Sequence, residues 1–239
     1  SMLRAYDDSF QKYNIEDGYF QTKKKLTPAQ KDDIEKSDVK VYENFYIEQK
    51  LTNGSTVRFF KNRKEVDKVC LMNGKMPKKS GEIAVDRMYA DNNELKVGDT
   101  VKSGKKTFRI TGLVALSDYS ALFQNNNDTM FDAVKFGVAI VTDKDFEALN
   151  QVKVQYNYAW IYDKKPATEK KEKKMAEDLM EDMADIVTME SFVPQYQNQS
   201  IHFTGDDMGS DRAMIVMLLY IVMAILAFVF GITISNTIR

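Results

Sequence analysis

Apolar positions follow two different patterns along this chain. As far as Arg212 they come in short runs broken by charged and turn-forming residues, whereas no position from Ala213 to Ile238 is charged. Within that last stretch, Ala213 to Ile234 is apolar except for Tyr220 and Thr233. A hydrocarbon core about 30 Å thick takes about 20 helical residues. A helix buried in a soluble core seldom stays apolar on every face for so long. Residues 213–238 are therefore expected to form one transmembrane helix, with 195–212, containing Gly205, Gly209 and Ser210, as a stalk or hinge before it.

The remainder predicts short elements of both kinds. Thr27-Pro28-Ala29-Gln30 carries a capping threonine, a proline at the first helical position and a glutamine able to close a capping box, so a helix is expected to about Lys36. Val39–Tyr42, Asn44–Leu51 and Thr56–Phe60 read as strands, the last two joined at Asn53-Gly54. From Leu71 to Leu116 short strands and tight turns follow one another: Gly81–Asp86, a short helix over Arg87–Leu95, then strands over Val97–Val101 and Thr107–Val114. Phe136–Val141 is a continuous apolar strand, followed by a helix capped at Thr142. Val154–Tyr162 is another strand, and the helix after Thr168 repeats Met175, Leu179 and Met183 every four residues. Strand-then-helix units thus flank a β-rich stretch. The expected fold class is α+β: an α/β subdomain of residues 1–70 and 136–194, split by a small β-rich subdomain of residues 71–135.

Charge and cysteine narrow the class. With 34 Lys and Arg against 35 Asp and Glu, the chain lacks the basic surface that phosphate backbones require, so nucleic acid is not an expected partner. One cysteine, Cys70, precludes an intrachain disulfide and leans towards a bacterial surface domain. Ser1-Met2 reads as a cloning remainder, no signal peptide is present, and the chain stops one residue past the apolar run. A fragment of a longer membrane protein is expected, with residues 1–212 extracytoplasmic and Arg239 on the cytoplasmic side.

Catalytic constellations fail on inventory. His202 is the only histidine and lies in the expected stalk, which leaves a Ser/His/Asp triad no pocket. One His and one Cys cannot build a zinc site. No phosphate-binding loop is present, so the chain is not itself an ATPase. Asp91–Glu94 and Asn125–Asp128 lack the spaced acidic pattern of a calcium loop and read as solvated turns. Cys70 reads as a small buried hydrophobe. No metal, cofactor or enzymatic activity is expected.

Two features suggest surfaces instead. Tyr156, Tyr158, Trp160 and Tyr162 alternate and so share one face of a strand, either as half of a sheet core or as a face for an extracytoplasmic partner or substrate. Ala227, Gly231 and Ser235 recur every four residues, a small-residue face that lets another membrane helix approach closely.

The run Pro77…Gly81-Glu82-Ile83-Ala84…Ala90…Leu95-Lys96-Val97-Gly98-Asp99…Phe108–Val114 resembles the extracytoplasmic domain of FtsX/MacB-like ABC transporter permeases. The exit Ile232–Ile238 is similar to the cytoplasmic end of that family's second transmembrane helix. The resemblance covers roughly residues 72–141 and 213–239 and only loosely residues 1–70. It implies a porter-like α/β part interrupted by a small β-rich part, in a permease subunit of the bacterial cytoplasmic membrane. It further implies a second permease copy forming a dimer and a separate cytoplasmic ATP-binding subunit driving export or force transmission. The alternative is a single-pass, membrane-anchored surface sensor or adhesion domain. A membrane-anchored hydrolase working through carboxylates that no motif singles out is a third reading.

Overall fold

A computed structural model describes residues 11–202, which form an α+β arrangement of two sheets with helices packed on them. The first sheet is antiparallel. It is made of β1 (Gly18–Thr22), β2 (Val39–Glu43), β10 (Tyr156–Tyr162) and β11 (Met189–Pro194), in the order β11-β1-β10-β2. Helix α1 (Pro28–Glu35) connects β1 to β2, and α4 (Glu169–Ala184) connects β10 to β11. Two strand-helix-strand units interleaved in this order make a split β-α-β sheet. Both helices cover the same face, because Ile34 of α1 and Leu179 and Met183 of α4 share a core with Phe20, Val39, Val41, Tyr158 and Trp160.

Local sequence accounts for these elements. Thr27 Oγ1 accepts from the N–H of Gln30 and Gln30 Oε1 accepts from the N–H of Thr27, so the expected capping box starts α1. Thr168 caps α4, whose buried Ala176, Leu179 and Met183 form its inner stripe. Gly18 faces Trp160 across the β1–β10 pair, and a Cβ on Gly18 would lie 2.1 Å from the indole ring. The missing side chain is what lets that ring lie flat over β1 and stack on Phe192 at 4.7 Å.

The second sheet lies entirely between β2 and β10 in sequence. Its order is β3 (Tyr46–Lys50), β4 (Thr56–Lys61), β9 (Phe136–Val141), β6 (Glu82–Asp86), β8 (Lys106–Ala115) and β5 (Cys70–Gly74), with β7 (Thr100–Ser103) also paired to β8. Strands β4 and β9 run parallel and are buried almost throughout, which explains their unbroken apolar runs. Short helices α2 (Arg87–Asn92) and α3 (Asp143–Glu147) follow β6 and β9. Gly137 is a second close approach: a Cβ there would lie 2.5 Å from the Tyr89 ring of α2.

In sequence the second sheet falls between β2 and β10, and sheet membership changes at Glu43 and Tyr156 rather than near residues 70 and 136. Strands β3, β4 and β9 pair with the inserted strands and not with β2 or β10. The inserted part is consequently the larger sheet. Residues 195–201, expected in the stalk, pack on the folded unit instead. A 3₁₀ turn (Gln195–Gln197) and helix α5 (Gln199–His202) bury Ser200 and Ile201, and the N–H of Ala121 donates to the Ser200 carbonyl at 3.2 Å. Among the described residues no helix is long and apolar enough to cross a membrane. The expected segment 213–238, with Ala227, Gly231 and Ser235, lies outside them.

The Gly18–Trp160 contact yields the first prediction. Gly18→Ala forces the indole or the strand to move and should cost about 1–3 kcal/mol by overpacking. Urea denaturation followed by the fluorescence of Trp160, the single tryptophan, measures it. An unchanged midpoint would show that the ring yields freely.

Candidate functional site

The residues of the glycine-rich motif run build turns and close approaches. Asp86 caps α2, accepting from the N–H of Tyr89 at 3.0 Å. Glu82 accepts from the N–H groups of Lys78 and Lys79, closing the turn that precedes β6. Asp99 accepts from the N–H of Lys96 across the turn that Gly98 makes at φ +101°. A Cβ on Gly112 would lie 2.5 Å from the Lys75 carbonyl, so the chain leaving β5 can lie this close to β8 only at a glycine. The run is a signature of this local fold, and its residues do not converge on a chemical centre.

Polar groups converge instead where the chain passes between the two sheets. The segments leaving β2 and entering β10 run side by side: the N–H of Asn44 donates to the Asn157 carbonyl at 2.8 Å, and that of Gln155 to the Tyr46 carbonyl at 2.9 Å. Two clefts flank this junction. The wider, about 690 Å³, has an aromatic and aliphatic floor that includes Phe45, Phe146, Val154 and Tyr156. Ion pairs Lys25–Glu43 and Lys61–Glu147 stand on its rim. The other is a polar cavity of about 250 Å³ lined by carboxamide, hydroxyl and charged groups, among them Gln21, Tyr46, Arg58, Asn126 and Asn157.

Arg58 is fully engaged in that cavity. It donates to Glu48 Oε1 at 3.0 Å, to the Tyr119 hydroxyl at 3.0 Å and to the Gln124 carbonyl at 2.6 Å. Its guanidinium lies over the rings of Tyr46 and Phe136 at 4.5 and 4.9 Å. Burial and the Arg58 charge both act on the Tyr119 hydroxyl; burial prevails, and its pKa is raised.

Glu16 and Asp118 lie on one wall of the cavity, with Asp67 behind them. One carboxylate oxygen of each falls within 4.8 Å of the other two, and all three side chains are buried. Glu16 precedes β1, Asp67 lies between β4 and β5, and Asp118 sits in the 3₁₀ turn after β8. The first sheet thus supplies one acid and the second sheet two. Asp67 adopts a left-handed backbone (φ +47°) that brings Oδ1 to the N–H of Glu16 at 2.9 Å. Arg63 pairs with Asp118 at 2.5 Å and stacks on Phe60 at 4.3 Å. Burial, reinforced by the neighbouring carboxylates, holds the Glu16 carboxyl well above its usual range, and burial with Asp118 pushes Asp67 up to about 7. Burial opposes the charge on Arg63, but Asp118 and Asp67 outweigh it and the guanidinium is held more firmly protonated. Among the described residues, Glu16 Oε2, Asp67 Oδ2, Arg63 Nε and Arg63 Nη2 have no hydrogen-bond partner. Groups of both signs are left undersatisfied at one place.

The aromatic row is turned inward rather than presented to a partner. Tyr158, Trp160 and Tyr162 are buried, Phe20 stacks on Tyr158 at 5.2 Å, and the Tyr158 hydroxyl accepts from the N–H of Leu26 at 2.8 Å. Helices α1 and α4 cover that face, so only Tyr156 reaches a cleft. Cys70 is partly exposed in β5, the edge strand of its sheet among the described residues. The Asn125–Asp128 turn, expected to be merely solvated, lines the polar cavity, and Asn126 donates to the Gln197 carbonyl at 2.9 Å. The acidic cluster has no local signature: Glu16 and Asp67 are 51 residues apart.

No protein-family model matches the chain, and no curated protein sequence matches it. Among solved structures it is similar to the extracellular domain of the ABC-type transporter YknZ from Gram-positive bacteria, at 12% identity and a TM-score of 0.35, over 73% of this chain and 98% of that one. It is likewise similar to the periplasmic region of MacB from Actinobacillus actinomycetemcomitans, at 14% identity and a TM-score of 0.34, over 70% and 83% of the two chains.

Asp86, which caps α2 between the quoted residues Ala84 and Ala90, carries the second prediction. Burial pushes its carboxyl up to about 6, against the N–H groups of Tyr89 and Met88. A raised folded-state pKa means the native state holds the proton more tightly, so stability falls as pH rises from about 4 to about 6 and is level above that. Asn caps a helix as well as Asp does. Asp86→Asn should therefore remove this slope and gain on the order of 2–3 kcal/mol at pH 7. Denaturation midpoints from pH 4 to pH 8 measure it, and an unchanged slope would refute the assignment.

Proposed function

We propose that this chain is the extracytoplasmic domain, with one membrane helix, of a bacterial ABC transporter permease subunit. The observation that carries the reading is the placement of the motif run. Gly81–Val114 builds β6, α2, β7 and β8 of a sheet inserted into a split β-α-β sheet. This placement supports the porter-like part with an interrupting β-rich part that the resemblance implies. Coupling, not catalysis, is the role assigned. A partner ATP-binding subunit on the cytoplasmic side hydrolyses ATP, and a second permease copy completes a dimer. Motion then passes through the membrane helix to residues 1–201, for export or for force on an extracytoplasmic partner. Ala227, Gly231 and Ser235 serve as the helix-packing face, and the wide cleft containing Tyr156 is the surface offered to substrate or partner.

Purification of the parent protein from its native membrane tests this. An ABC-type ATPase should come down with it, and the parent gene should encode further hydrophobic segments. A parent with a single membrane span and no associated ATPase would favour a surface sensor or adhesion domain instead. Gly231→Ile should reduce recovery of the second permease copy several-fold, while the melting temperature of the extracytoplasmic domain stays unchanged. Full recovery would remove the packing role from that face.

A further inference from the structure

We propose that Glu16, Asp67 and Asp118 form a binding site for a calcium ion at the junction of the two sheets. When fully ionised, the three carboxylates, with Arg63 as their one close cation among the described residues, would leave two negative charges in a buried place. Burying unbalanced charge is costly unless something neutralises it. Glu16 is 2% exposed and Asp67 is fully buried, yet among the described residues Glu16 Oε2 and Asp67 Oδ2 have no hydrogen-bond partner. Both bare acceptors belong to carboxylates of the cluster itself. A single proton shared between them would still leave one negative charge uncompensated. A divalent cation supplies both missing charges and occupies both oxygens.

The donor set selects the ion. All three ligands are oxygens, which suits a hard cation and not zinc or copper. Two oxygens on one calcium ion lie at most about 5 Å apart, twice the Ca–O bond length, and the 4.8 Å bound on the cluster falls within that reach. Magnesium, with bonds of about 2.1 Å, demands a near-ideal octahedron and gives up its own waters reluctantly, which three carboxylates from three separate segments suit less well. The polar cavity touches Glu16 and Asp118, so it offers both an access route and room for the waters that complete a calcium shell. Because Glu16 comes from the first sheet and Asp67 and Asp118 from the second, the bound ion clamps the two together.

The test uses the full chain in detergent, stripped with a chelator. Calorimetric titration with calcium should give one ion per chain, and the melting temperature should rise with each tenfold increase in calcium. Magnesium should bind at least tenfold more weakly. Terbium, excited through the nearby Tyr119, should luminesce and be displaced by calcium. Glu16→Gln should weaken calcium binding at least tenfold; if that variant does not fold, Asp118→Asn gives the same readout. Four results would overturn the proposal: no heat and no melting shift at millimolar calcium, wild-type affinity in the folded variants, terbium emission indifferent to calcium, or tighter binding of magnesium. Proton uptake by the cluster without any cation effect would show that a proton occupies it instead.

Discussion

Two backbone segments lying side by side, Asn44–Tyr46 and Gln155–Asn157, hold this molecule's two sheets to one another, and most of its geometry follows from them. Strands β2 and β10 are antiparallel neighbours, with Glu43 opposite Tyr158. The end of one is therefore next to the start of the other. An inserted segment whose ends emerge a strand spacing apart, about 4.8 Å, already has its loop closed by the parent sheet. The whole second sheet can then fold between them with little added entropy cost. Backbone hydrogen bonds between Asn44 and Asn157 and between Tyr46 and Gln155 continue the pairing past the sheet, so the crossings are a short ladder and not free linkers.

That ladder is narrow, and the surfaces on either side of it cannot be filled by backbone pairing. One side keeps an aromatic floor under a charged rim; the other collects carboxamides, hydroxyls and charges. The two arginines there are used differently. Arg58 meets Glu48, Tyr119 and the Gln124 carbonyl and stacks on two rings, so its charge and its donors are satisfied. Arg63 satisfies Asp118 and the Asp67 carbonyl but leaves Nε and Nη2 unpartnered beside three acids. The first arginine fixes the fold. The second lies in a place that is incomplete as built, and buried polar networks that are only partly satisfied are the costly kind.

Much of the local structure was legible. Thr27 and Gln30 announced α1, Asn53-Gly54 the β3–β4 turn, and the Met175–Leu179–Met183 spacing the buried stripe of α4. The insertion was legible too, because strand-then-helix texture gives way to dense turns and returns. Sheet membership was not. Val39–Tyr42 and Asn44–Leu51 read as equivalent runs, yet the chain changes sheets between them at Asn44, and pairing partners are set by tertiary contacts that no local window contains. Strands β1 and β11 escaped because Gly18–Thr22 and Met189–Pro194 are only five and six residues of mixed polarity, too short to carry a clear hydropathy period. The acidic cluster escaped for a stronger reason. Its members sit before a strand, in a connection and in a single turn, so only the finished fold brings them together.

The alternating tyrosines and Trp160 show how the same pattern can be read in two ways. Alternation states only that the rings share a face; which face is buried depends on where α1 and α4 land. Once the helices cover it, the rings become the rigid half of the molecule, close-packed and hydrogen-bonded through the Tyr158 hydroxyl. Adaptability is then left to the junction, where buried groups lack partners and where cavities adjoin them. Openings start where local stability is lowest, and a ligand shifts a conformational equilibrium only through contacts that differ between its states. Groups drawn from both sheets meet that condition, because any relative movement of the sheets changes their spacing. Groups within either core do not.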